Sequence, residues 1–273
     1  MDSKVKLTEL QQMKQQGRKI VGVVAWDYQM ARIVDRAGVD VVSVGDTVGI
    51  NLWGQPNPLE ITMDQILVVC QAVRRGVQRA LLSCDFPFGP LQEGSASAVR
   101  AAIRLVKEAG VDMVKLDGAA DHLDAVAAVA RAGIPVFAQF GITPQTSLKY
   151  GVTYSSTPTA EDAISDELLD EMVREAKSLA DAGAVMLNFT NSGPVVGAAV
   201  AEAVSIPVVG GFGGGPWLDG RIRMATAAIG YGADGLDEPP NTYANVARIA
   251  LDAISAYADD VRGARQIKGG IRR

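Results

Sequence analysis

Three short apolar runs in this chain close on aspartate: Val44-Gly45-Asp46, Ser83-Cys84-Asp85 and Lys115-Leu116-Asp117. If the runs are strands, alternate side chains share a face. Asp117 then points the same way as Lys115 and Met113, and Asp85 the same way as Ser83 and Leu81. A lysine inside an apolar strand is costly to bury without a partner. Three converging carboxylates repel one another and raise each other's pKa unless a cation joins them. Hard oxygen donors of this kind suit Mg²⁺, with Mn²⁺ or Co²⁺ as substitutes. Because Mg²⁺ keeps waters, two of Asp46, Asp85 and Asp117 would bind it directly and the third through water. The same residues could instead cap the helices that follow them, and spacing alone leaves both uses open.

The elements that must position these residues alternate. Strands are expected at Ile20–Trp26, Val39–Gly45, Ala80–Phe86, Met113–Gly118, Pro135–Gly141, Ala184–Phe189, Pro207–Phe212 and Asp234–Glu238. Between them lie Ala-rich helical stretches such as Met63–Gly76, Ala96–Ala109, His122–Ala132, Glu167–Ala182 and Tyr243–Tyr257. Several end in Ala-Gly before the next strand, as at Ala109-Gly110 and Ala182-Gly183, where glycine supplies a left-handed C-cap. Continuous apolar strands separated by helices predict a parallel sheet covered on both faces. Eight of them favour a closed (β/α)8 TIM-type barrel over an open doubly wound sheet. The expectation is one domain over residues 1–273, with long polar connections at 51–62 and 149–165 on the catalytic face. The basic tail with Arg262, Arg265, Lys268, Arg272 and Arg273 reads as a frayed terminus or as a contact with a partner subunit.

Composition narrows the chemistry. With 273 residues, 48% apolar, the chain can bury a large core and matches the usual barrel length of about 250 residues. A formal charge of −5 argues against nucleic acid or an anionic membrane as partner. Two cysteines are too few for a disulfide framework or zinc site, and one histidine, His122, excludes histidine-rich metal sites. No apolar run reaches the roughly 18 residues of a spanning helix, and the first residues are polar, so the expected location is the cytoplasm.

Several segments together resemble the ketopantoate hydroxymethyltransferase family. They are Val44-Gly45-Asp46-Thr47-Val48-Gly49, Asp85-Phe86-Pro87-Phe88, Val114-Lys115-Leu116-Asp117-Gly118 and Gly141-Ile142-Thr143-Pro144-Gln145, with Ala25-Trp26-Asp27-Tyr28 and Ala72-Val73-Arg74-Arg75-Gly76. Their order and spacing match from about Ile20 to Tyr231. The resemblance implies a place in the phosphoenolpyruvate mutase and isocitrate lyase superfamily of barrels. It implies Mg²⁺, a small 2-oxo acid substrate, and transfer of a one-carbon unit from methylenetetrahydrofolate to the carbon beside the ketone through a metal-bound enolate. It also implies a homo-oligomer. By position, Asp46 and Asp85 match family metal ligands and Asp117 matches a glutamate of that shell. Thr47, next to Gly45 and Asp46, matches a serine that contacts the substrate carboxylate, and Lys115 matches a lysine that contacts the substrate.

The sequence also departs from that family. Its general base is a glutamate at the end of the sixth strand, and Thr190 stands there in Met186-Leu187-Asn188-Phe189-Thr190. By alternation Asn188 and Thr190 share a face, and a threonine cannot take a C–H proton unaided at neutral pH. Gln139 replaces a family histidine, the stretch Tyr150–Thr159 replaces a Gly-Tyr-rich loop, and 51–58 lacks the family's histidine and aspartate. Replacement bases could be Glu60, Asp27, Asp237 or Glu238. Gly210–Gly215 suits either phosphate binding through backbone N–H groups or close packing at the rim. Trp217 and Trp53 could stack on a ligand or simply pack, and Cys84 reads as packing. Three functions follow: hydroxymethyl transfer, a metal-dependent 2-oxo acid aldolase, lyase or C–C hydrolase, or a non-catalytic ligand-binding relative. Gln139, Asn188, Thr190 and Lys115 are the expected catalytic-site residues.

Overall fold

A computed structural model describes residues 3–146, 166–190, 192–211, 214–237 and 241–269. They fall into two compact units, Met1–Arg223 and Met224–Arg273. Eight parallel strands form a closed barrel in sequence order: β1 (Ile20–Val24), β2 (Val41–Val44), β3 (Leu81–Asp85), β4 (Met113–Leu116), β5 (Val136–Gly141), β6 (Ala184–Thr190), β7 (Val208–Gly210) and β8 (Gly220–Met224). The first unit carries helices α1 (Leu7–Gln15), α2 (Tyr28–Arg36), α3 (Val48–Trp53), α4 (Met63–Gly76), α5 (Ser95–Ala109), α6 (Leu123–Arg131), α7 (Asp166–Asp181) and α8 (Pro194–Ala203). The second carries α9 (Ala225–Ile229) and α10 (Val246–Arg262). Among the described residues no helix is long and apolar enough to cross a membrane.

The closed barrel agrees with the sequence expectation, with two corrections. The eighth strand is Gly220–Met224, not Asp234–Glu238; Ala233–Leu236 is a 3₁₀ turn, and Glu238 lies outside the described residues. The polar connection expected from Asn51 begins inside α3, which runs to Trp53 and stops at Gly54 in the left-handed region. The loop expected at 149–165 lies outside the described residues.

Pairing registers build the interior in layers. Val41, Leu81, Met113, Phe137, Met186 and Val209 point inward with Ile20 and Ile222 and make a wholly apolar plate. Helix α1 seals its lower side with Leu10 and Met13, while Val5 tethers the approach by donating its N–H to the Arg79 carbonyl. Two residues further along β2–β6 the inward positions are Ser43, Ser83, Lys115, Gln139 and Asn188, so the barrel turns polar towards its C-terminal mouth. Outward residues such as Val42, Leu82, Val114 and Leu187 are buried with the inner faces of the helices. Cys84 and Cys70 belong to this outer layer.

At the opposite end, aspartates sit just before strands and hold the strand beside them. Asp40 accepts the Val21 N–H at 3.0 Å, Asp112 the Leu82 N–H at 2.8 Å and Asp219 the Val208 N–H at 2.8 Å. Cations neutralise all three: Lys14 reaches Asp219 at 2.8 Å, Arg74 reaches Asp112 at 3.1 Å together with Lys4, and Arg79 reaches Asp40 at 3.7 Å. Asp35, at the end of α2, accepts the N–H groups of Gln78, Arg79 and Ala80 at the start of β3.

Candidate active site

The mouth assembles the expected strand-end residues. Asp46, Asp85 and Asp117 are 3%, 4% and 3% exposed, and Lys115 is buried among them. The register sets Asp85 beside Lys115 on adjacent strands, and the Lys115 ammonium donates to Asp85 Oδ2 at 2.8 Å. Below this pair, Ser83 donates to Ser43 at 2.6 Å, and Ser43 leans towards Asp85 Oδ1 at 3.4 Å. Gly45 keeps the approach open: a side chain there would crowd Thr47 Oγ1 and Val24 and face Asp85 Oδ2. Thr47 precedes α3, and its hydroxyl makes no capping bond to that helix.

Sequence reasoning missed Gln145. The turn after β5 folds its side chain back so that Nε2 donates to Asp46 Oδ2 at 2.8 Å and to the Phe86 carbonyl at 3.0 Å. Thr143 and the Gln145 backbone both hydrogen-bond Asp117. The Thr-Pro-Gln segment was visible in the sequence, yet no periodicity says where a turn aims its side chains.

Electrostatics show what the group lacks. Burial, then the charges of Asp85 and Asp117, push Asp46 up to about 8. Burial also raises Asp117 to about 6, against the pull of Lys115 and Thr143. For Lys115, burial lowers the pKa, but Asp85, Asp46 and Asp117 outweigh it and the net shift is upward. Three carboxylates and one ammonium leave two negative charges when all are ionised, the charge a divalent cation cancels. Asp117 Oδ1 is buried without a hydrogen-bond partner among the described residues, where such an orphan costs about 1–3 kcal/mol. Orphan atom, excess charge and hard oxygen donors all fit a divalent metal. A preassembled three-carboxylate cage is not what the strands build, however. Among the described residues no three acidic, histidine or cysteine side chains close on one point, since Lys115 holds one side of Asp85. Water must complete any coordination shell there.

The other half of the mouth is neutral. Gln139 pairs with Asn188, and Gly141 with Thr190, across β5 and β6. Gln139 Nε2 donates to Thr190 Oγ1 at 3.1 Å, so the threonine expected at the end of the sixth strand is confirmed in place. On the outer face of the same strands Phe140 and Phe189 stack with centroids 4.5 Å apart, which fixes the register. Gly141 has φ +84°, and a Cβ there would lie 2.6 Å from the Thr190 carbonyl oxygen, so only glycine lets the strands meet this closely.

Of the suggested replacement bases, Asp27 and Glu60 are engaged by neighbours of their own, and Glu238 lies outside the described residues. Asp27 caps α2 through the Met30 N–H at 2.8 Å, Glu60 bonds the Asn57 amide at the surface, and Asp237 follows a 3₁₀ turn of the second unit. The glycine run resolves towards packing. Carbonyl oxygens of Gly210, Gly211 and Gly214 accept from Arg221, and side chains at Gly215 or Gly197 would overlap the Trp217 ring. The Trp217 indole N–H donates to Ser192 at 3.2 Å, so this ring is part of the rim's packing. Phe212 and Gly213 lie outside the described residues. Trp53 ends α3 at 42% exposure.

Comparison with known proteins agrees with the sequence resemblance. The family model for ketopantoate hydroxymethyltransferase matches residues 4–265. The 3-methyl-2-oxobutanoate hydroxymethyltransferase of Salinibacter ruber is 37% identical over 253 residues, covering 93% of each chain. Among solved structures, 2,3-dimethylmalate lyase, described as a member of the PEP mutase/isocitrate lyase superfamily, aligns with a TM-score of 0.61 at 14% identity. That alignment covers 97% of this chain and 91% of the lyase. Phosphonopyruvate hydrolase in complex with oxalate and Mg²⁺ aligns at 0.58 and 14% identity, over 98% and 92%. At such identities these two show the shared barrel fold. The chain belongs to the ketopantoate hydroxymethyltransferase family, a family of enzymes.

Proposed function

We propose that this protein is a divalent-metal-dependent enzyme that makes a C–C bond at the carbon beside the ketone of a 2-oxo acid, passing through the enolate of that acid. The observation that carries the reading is the buried group of Asp46, Asp85, Asp117 and Lys115, whose unbalanced charge and orphan oxygen call for a cation. Asp46, Asp85 and Asp117 would hold Mg²⁺, Mn²⁺ or Co²⁺, some of them through water. The cation supplies a Lewis acid that acidifies the C–H next to the ketone. Lys115 places a positive charge beside the oxygen on which the enolate charge develops. Thr47 and the open space over Gly45 receive the substrate carboxylate. Gln145 keeps Asp46 aimed inward. The relatives' name points to a hydroxymethyl group, its donor would be methylenetetrahydrofolate as the family resemblance implies, and the working form would be a homo-oligomer.

The test is deuterium exchange. In D₂O with Mg²⁺, 3-methyl-2-oxobutanoate should exchange its C3 hydrogen, and adding methylenetetrahydrofolate or formaldehyde should give the hydroxymethylated acid. A protein that binds neither divalent cation nor 2-oxo acid by calorimetry would end this reading.

One observation favours a second direction of the same chemistry. No carboxylate lines the inward face of β5–β6 among the described residues, and Thr190 stands where the family resemblance implies a glutamate base. C–C cleavage of a hydroxylated 2-oxo acid starts from an O–H proton instead. Aldehyde release from a 4-hydroxy-2-oxo acid, with no exchange into 3-methyl-2-oxobutanoate, would establish cleavage as the reaction.

A further inference from the structure

The neutral half of the mouth contains a second set of unmet hydrogen-bonding demands. Gln139, Asn188 and Thr190 are 3%, 5% and 2% exposed. Gln139 spends its amide nitrogen on Thr190, which fixes the orientation of the amide and leaves Oε1 buried with no donor among the described residues. Asn188 Oδ1 is in the same condition. Thr190 Oγ1 already accepts from Gln139, so its own hydrogen is the atom it can offer. Pairing of Gln139 with Asn188, and of Gly141 with Thr190, puts the three groups on one inward patch. The patch therefore presents two unmet acceptors, beside the remaining N–H groups of the two amides and the Thr190 hydroxyl hydrogen, and carries no charge.

We propose that this patch is a specificity subsite for the far end of the substrate, and that it selects 2-oxo acids ending in an uncharged group with two hydrogen-bond donors. A vicinal diol and a primary carboxamide both meet that description. A hydrocarbon end leaves two buried carbonyl oxygens unpaired. An ionised carboxylate end has no hydrogen to donate and brings negative charge against those same oxygens. The subsite thus holds a branched hydrocarbon acid such as 3-methyl-2-oxobutanoate more weakly than a donor-bearing acid, without excluding it from the parent reaction, and it gives a dicarboxylic acid no better match. The inference rests on the proposed 2-oxo acid function and names its substrate class.

Four acids of similar length separate the possibilities in calorimetry with the full chain and saturating Mg²⁺: 2-oxopentanoate, 4,5-dihydroxy-2-oxopentanoate, 2-oxosuccinamate and oxaloacetate. The diol acid or the amide acid should bind at least about tenfold tighter than 2-oxopentanoate, the cost of leaving one buried acceptor unpaired. Oxaloacetate should bind the most weakly of the four. Whichever neutral acid binds tighter identifies the donor group. In Asn188→Leu and in Thr190→Val the preference over 2-oxopentanoate should shrink towards one. The wild-type ratios decide the matter even if a variant fails to fold. Equal affinities for the neutral polar and hydrocarbon acids would overturn this subsite while leaving the 2-oxo acid function standing. If none of the four binds, the parent function fails and the subsite with it.

Discussion

The two ends of the barrel use aspartate in opposite ways. At the N-terminal end Asp35, Asp40, Asp112 and Asp219 each accept backbone N–H groups, and lysines or arginines neutralise several of them. Those carboxylates stitch neighbouring strands and stabilise the fold. At the C-terminal end Asp46, Asp85 and Asp117 crowd one lysine, and two of them have pKa values raised by burial and mutual repulsion. They cost stability when nothing is bound. Barrels of this kind place stability at one face and chemistry at the other, and here the division is legible in how each carboxylate is satisfied.

The comparison can be tested from its most expensive member downwards. Replacing Lys115 with methionine leaves Asp85 buried without its cation, and should cost about 3–5 kcal/mol in urea unfolding of the metal-free protein. Saturating Mg²⁺ should restore part of that loss. Asp35→Ala removes the acceptor for three N–H groups and should cost about 3 kcal/mol. Mg²⁺ should not restore it, because the lost bonds lie at the other end of the barrel. Asp46→Asn should act with the opposite sign, raising the melting temperature of the metal-free protein while weakening Mg²⁺ binding in calorimetry. A lowered melting temperature for Asp46→Asn would break the contrast between the ends.

The same contrast has a pH dependence. Asp46, pushed up to about 8, and Asp117, pushed up to about 6, hold protons in the folded chain that they release when it unfolds. From about pH 4 to pH 8 the folded state binds more protons than the unfolded one, so stability of the metal-free protein should fall as pH rises. Thermal melts at pH 5 and pH 8 should show this decline, and Mg²⁺ should flatten it.

How much of this was legible in the sequence varied with the local physics. Strands β2 to β6 were found because both their faces are buried, which writes a continuous apolar run, and β1 because its run is apolar even though Val21 is exposed. Strand β8 was misplaced because it reads Gly-Arg-Ile-Arg-Met: Ile222 faces the barrel interior while Arg221 and Arg223 are exposed. Its alternation is that of a strand with one wet face, whereas Asp234–Glu238 mimicked a strand end with a carboxylate. Asp85, Asp117 and Lys115 were legible because alternation alone assigns their face, whereas Asp46 has the parity of the outward Val42 and was legible only as a carboxylate at a strand end. Gln145 was not, since its position depends on a turn folding back across the mouth. Nor were Ser43 and Ser83, small hydroxyls inside strands whose role appears only when the register sets them side by side under Asp85.

The plug formed by α1 and the apolar plate above it has a kinetic consequence. With Leu10 and Met13 packed under the apolar plate, the described residues close the lower end of the barrel and leave the mouth as the way in. Two reactants that use this mouth cannot arrive from opposite sides. The one seated deeper must bind first, and what remains of it must leave last. An ordered sequence of binding and release is therefore built into the closed floor of the barrel, independently of the chemistry performed at its rim.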